Sequence, residues 1–148
     1  MKNTLMIAIM FVSLNALAQD AVTKKMEARA KELIAVISQP DKEVYRKFIK
    51  ANYTEAFINK KMRLTVEGGP GGSSENGKND PVEDKVNMYT RLHKDLGQGK
   101  IVSMKQIGEK LEVEADGSTG ASMSFGITYQ KTEPYLIDGL SVQLVMRR

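Results

Sequence analysis

"KLEVEADGSTGASMSFGITY", residues 110 to 129, alternates with a period of two on both sides of a turn. Leu111, Val113 and Ala115 alternate with Lys110, Glu112, Glu114 and Asp116. Ala121, Met123, Phe125, Ile127 and Tyr129 then alternate with small or hydroxylated residues. Successive side chains of a strand point to opposite faces, so this pattern predicts two half-covered strands. Downstream, Leu140, Val142, Leu144 and Met146 fall on one face of a last strand, with Ile137 out of phase before Gly139. A bulge at Asp138-Gly139 would reconcile the two registers. Upstream, Ile101 to Ile107 supplies another strand. Four strands joined by short turns imply an antiparallel sheet with one covered face.

The earlier half of the chain changes period. Val22, Met26, Ala30, Leu33, Ile34 and Ile37 recur at three- and four-residue spacing, which predicts an amphipathic helix over residues 20 to 38 ended by Gln39-Pro40. Asp41 is an N-cap for a second helix carrying Val44, Tyr45, Phe48 and Ile49, and "YTEAFI", residues 53 to 58, continues the apolar spacing. "MRLTVE", residues 62 to 67, reads as a brief strand. A further helix opens with Asp80 as cap, Pro81 at N1 and Glu83 at N3 of a capping box. Its stripe is Val82, Val86, Tyr89, Leu92 and Leu96, and Gly97 stands at C′. Helices followed by strands indicate an α+β domain: three N-terminal helices packed on a bent antiparallel sheet of about four strands.

Residues 1 to 18 read as a signal peptide. Lys2 makes a positive start, Leu5 to Leu17 is a mostly apolar run, and Ala16-Leu17-Ala18 is the small-x-small pattern before a cleavage site. A run of 13 residues is too short to span a bilayer, which takes about 20. The expectation is therefore an exported protein, periplasmic or secreted, cleaved after Ala18, with no membrane span. Residues 19 to 148 would form a single domain long enough for a hydrophobic core without disulfides. The chain has no cysteine, which excludes thiolate metal sites and a cysteine nucleophile. Without Lys2 the balance is 21 basic against 18 acidic residues, interspersed, which argues against a nucleic-acid footprint.

The stretch "GGSSENGKND", residues 71 to 80, imitates a phosphate loop, with Gly72, Gly77 and Lys78 at the Walker A spacing. The imitation fails chemically. The helix starts after the lysine, Pro81 removes a donor, Asp80 puts negative charge where phosphate would sit, and Asn79 replaces the magnesium-binding hydroxyl. The Gly-rich segment from 67 to 80 reads as a flexible loop. His93 is the sole histidine, so no histidine-based metal site is available. His93 and Asp138 are the remaining candidates for acid–base chemistry, and both read more simply as surface residues. The carboxylates of "LEVEAD" lie on the outer face of a strand and lack a converging partner segment, so no metal or cofactor is called. Asn52-Tyr53-Thr54 is a formal glycosylation sequon.

Three phrases carry a likeness: "QPDKEVYRKFIKANYTEAFI" (39 to 58), "KVNMYTRLHKDLGQGKIVSM" (85 to 104) and "YLIDGLSVQLV" (135 to 145). The chain resembles the nuclear-transport-factor-2-like (SnoaL-like, cystatin-like cone) domains of bacterial exported proteins. The version associated with periplasmic β-lactamase-type serine hydrolases is the most similar. No hydrolase domain accompanies it here, and the segment from Glu67 to Asn79 replaces a shorter connection or hairpin. The resemblance implies a sheet wrapped around the helices with a partly apolar pocket between them, lined by Tyr53, Tyr89, Leu111, Met123, Phe125 and Tyr129. The leading expectation is a non-catalytic binding or interaction module for a small apolar molecule or another envelope protein. The alternatives are a pocket enzyme of the isomerase or dehydratase type using Tyr89, His93 or Asp138, and a homodimer packed sheet to sheet.

Overall fold

The computed structural model describes residues 3–61 and 80–145, with side chains from residue 19 onward. Four helices precede four strands: α1 (Asn3–Ile37), α2 (Lys42–Asn52), α3 (Glu55–Asn59), α4 (Pro81–Leu96), β1 (Gly99–Ile107), β2 (Lys110–Gly117), β3 (Ser122–Tyr129) and β4 (Ile137–Leu144). The class is α+β, with four helices where three were expected. The extra one is α3, which has its own cap: Thr54 Oγ1 accepts from Phe57 N at 3.2 Å. The strand expected over 62–67 and the loop expected over 67–80 lie, but for Asp80, outside the described residues.

α1 begins upstream of the expected start because no glycine or proline interrupts residues 3 to 37. It stops at Ile37, where Ser38 Oγ donates back to Ile34 O at 2.7 Å and Pro40 follows. Ala30, Leu33, Ile34, Val36 and Ile37 are its buried residues. α2 is capped by Asp41, which accepts from Glu43 N at 2.8 Å. α4 is capped by Asp80, which accepts from Val82 N at 2.9 Å. The expected capping box differs in its second half. Glu83 reaches across to α2 and takes Arg46 with both oxygens, Nε to Oε1 at 2.6 Å and Nη2 to Oε2 at 3.1 Å. A bidentate guanidinium pair outcompetes one backbone N–H for the carboxylate.

The strands form one antiparallel sheet in the order β1-β2-β3-β4. Pairing places Val113 opposite Phe125 and Phe125 opposite Val142, so the apolar halves of the alternation share the face under the helices. On β4 Thr128 pairs Gly139 and Tyr129 pairs Ile137, leaving Asp138 as the extra residue of the expected bulge. Leu144, expected on the covered face, is 56% exposed as the last residue of the edge strand β4. Beyond the β4 edge, Tyr53 bridges Ile137 in parallel, and Thr54 N donates to Ile137 O at 2.9 Å.

The sheet approaches α4 closely at Gly117, where a side-chain carbon would collide with the backbone carbonyl of Leu96. Backbone cannot step aside as a side-chain tip can. Gly117→Ala is expected to cost about 3 kcal/mol in denaturant unfolding, the upper range for an overpacked site. A loss under about 1 kcal/mol would mean the α4–β2 contact is looser than described.

Candidate functional site

The outer face of the sheet, away from the helices, carries the polar half of the alternation. One row across it runs Lys110, Thr128, Gly139, and the next runs Glu112, Gly126, Ser141. Where these rows meet α3 there is an open groove of about 320 Å³, lined by Phe57, Lys60, Lys61, Lys110, Thr128 and Ser141, with Gly126 and Gly139 in its floor. The glycines make the space. A carbon on Gly126 would lie 2.9 Å from Lys110 Cδ, and one on Gly139 would collide with Thr128 Oγ1.

The groove is cationic and rich in donors. Lys110 Nζ pairs with Glu112 Oε1 at 2.7 Å. Among the described residues, Lys60 and Lys61 have no ion-pair partner and the Thr128 hydroxyl has no hydrogen-bond partner. Ser141 Oγ donates to Gly126 O across 3.3 Å, near the limit for a hydrogen bond. Behind the groove stands Lys85 of α4, only 2% exposed, whose ammonium donates to Lys60 O and lies 5.2 Å from the Phe57 ring centre. Burial holds its pKa below the usual lysine value, opposed by the nearby Asp84.

The residues expected to line an apolar pocket are gathered under the helices, and all six are buried. The Tyr53 and Tyr89 hydroxyls bond to each other, and their rings meet edge to face at 6.3 Å. Tyr129 Oη donates to Met26 O at 2.8 Å. Burial raises the pKa of all three tyrosines above the ordinary tyrosine range. A second groove, of about 250 Å³, lies between Lys25, Arg29 and Glu32 of α1 and Pro134-Tyr135. Neither groove draws a lining residue from the six.

The two acid–base candidates stand apart in structural contacts. His93 is half-buried, and its Nδ1 donates to Ile37 O at 2.9 Å, closing the C-terminal end of α1. Asp138 is exposed on the bulge and accepts from Thr54 Oγ1 at 2.6 Å. The sequon is engaged as well: Asn52 is buried, and its Nδ2 donates to Phe48 O at 3.1 Å. Among the described residues no group of His, Asp and Glu is arranged to hold a metal ion, and no helix is long and apolar enough to cross a membrane.

Sequence reading missed the lysine groove entirely. Lys85 did leave a signal, since it stands four residues before Tyr89 in an otherwise apolar stripe. Lys60, Lys61 and Lys110 left none, because Lys60 and Lys110 stand 50 positions apart and their proximity depends on where α3 meets the sheet. No protein-family model, curated protein or solved structure matches the chain.

Proposed function

We propose that the chain is an exported, non-catalytic binding module that takes an anionic ligand in the groove between α3 and the outer face of β2–β4. The observation that carries this reading is a groove lined by Lys60, Lys61 and Lys110 together with Thr128 and Ser141, with no carboxylate among the lining residues and Glu112 beside it, paired with Lys110. Opposite charge in a concave, partly desolvated site attracts and orients an anion. An apolar ligand lodged among Tyr53, Tyr89, Leu111, Met123, Phe125 and Tyr129 would have to displace packed side chains. Acid–base catalysis is supported less well, since His93 and Asp138 face backbone and Thr54 rather than a shared space. The cone architecture of the nuclear-transport-factor-2-like domains is part of the same proposal. It draws on the helices-first order and on a four-stranded antiparallel sheet covered on one face.

The test is an amide-resolved NMR titration of the protein with small anions, beginning with inorganic phosphate. Shifts should concentrate at Lys60, Lys61, Gly126, Gly139 and Ser141. The double substitution Lys60→Ala/Lys61→Ala should weaken binding at least tenfold, while stability changes by no more than about 0.5 kcal/mol per exposed site. Shifts scattered over the whole surface, or undiminished binding by the double variant, would remove the groove as the site.

A further inference from the structure

The lysine groove leaves open which anions it accepts, and the neighbouring surface narrows the choice. Resting on the anion-binding reading, we propose that the ligand presents a phosphate group on a compact molecule, and that Thr128 and Ser141 are the residues that read it. The outer face of β2 continues from Lys110 through Glu112, Glu114 and Asp116. A chain of anionic units laid along that strand would leave one lysine and meet three carboxylates. Glu112 is paired with Lys110, and Asp116 accepts from Ser122 Oγ at 2.7 Å. Like charges at this range disfavour a polyanion, and salt does not invert the sign. The attractive region is therefore confined to the corner where the rows beginning at Lys110 and Glu112 meet α3.

Within that corner the donors are of two kinds. Charge comes from the Lys60 and Lys61 ammonium groups as mobile point donors and, shared with Glu112, from that of Lys110. Thr128 and Ser141 supply hydroxyls on adjacent strands, β3 and β4, in the space left by Gly126 and Gly139; an anion would take the Ser141 O–H in place of its 3.3 Å bond to Gly126 O. A phosphate group offers three terminal oxygens and close to two negative charges at neutral pH, so ammonium and hydroxyl donors can be met together. A lone carboxylate has one charge and two oxygens and would leave part of this set unmatched. Lys85, buried behind Lys60, adds positive potential without touching the ligand.

Calorimetric titration of the protein with inorganic phosphate, glycerol phosphate and a sulfated polysaccharide tests this. Both phosphate probes are expected to bind, and more strongly at pH 7.5 than at pH 5.5, as the group passes its second ionisation near about pH 6. Equal affinity for the two probes would assign the free ion as sufficient. Tighter binding of glycerol phosphate would assign a phosphomonoester. Thr128→Val and Ser141→Ala should each weaken phosphate binding about tenfold, as for one hydrogen bond to a charged acceptor, with thermal stability as the control on folding. Tighter binding of the polysaccharide than of phosphate would overturn the compact-ligand inference while leaving the lysine groove as an anion site. Wild-type phosphate affinity in both hydroxyl variants would overturn the assigned role of Thr128 and Ser141. Binding of no anion at all would remove the anion-binding reading beneath it.

Discussion

Replacing Phe125 by alanine is expected to lower stability by about 3–5 kcal/mol and the melting temperature by roughly 10–20 °C. Phe125 is fully buried at the centre of the covered sheet face, paired on one side with Val113 and on the other with Val142. Truncating it loses the transfer free energy of the ring and leaves a cavity that the two-layer packing cannot close. The measurement is paired thermal and urea unfolding. It also separates two functional readings. A phenylalanine that lined an open ligand pocket would leave no new void, so its loss would cost under about 2 kcal/mol. A small effect would return the ligand to the space under the helices and weaken the case for the outer groove.

The second large effect is alkaline. Tyr53, Tyr89 and Tyr129 have hydroxyls shut away from water, and desolvation is the first cause holding each pKa above the ordinary tyrosine value. In the unfolded chain the same groups ionise near about pH 10. Above that pH the unfolded state binds fewer protons than the folded state, so the sign is fixed: stability falls as pH rises. Three such groups give a slope of about 4 kcal/mol per pH unit between the unfolded and folded ionisations. Unfolding by base should therefore be abrupt, with tyrosinate absorbance appearing together with loss of secondary structure. Tyr89→Phe should lower the slope by about one third, while costing about 1–3 kcal/mol at neutral pH because the Tyr53 hydroxyl loses its partner. Tyrosinate absorbance that rose near pH 10 in a still-folded protein would show these hydroxyls to be open to solvent.

The accuracy of the sequence reading followed the range of the interactions concerned. Asp41 and Asp80 as caps, Gly97 as the end of α4 and the bulge at Asp138 all came from neighbours within a few residues. Alternation in residues 110 to 129 placed the correct side chains on the covered face because a strand's period is fixed by the backbone. Where a residue had two partners within reach, local rules failed. Glu83 had a nearby backbone N–H in sequence but the Arg46 guanidinium in space, and the charged pair prevailed. Periodicity could not distinguish a packed cluster from a lined pocket either, since both need apolar side chains facing inward.

The sequence by itself determined the α+β class, the order of helices before strands and the inward sets of β2 and β3. These follow from residue spacing and from the chemistry of capping and turn residues. Only the tertiary structure decided what lies between and outside the layers. It closed the tyrosine cluster by joining the Tyr53 and Tyr89 hydroxyls, because side chains 36 positions apart meet only once α2 and α4 dock. It also drew Lys60 and Lys61 beside Lys110, because the edge of β4 is where α3 comes to rest. Charges far apart in sequence become a site only when folding gathers them around one groove, where their fields add.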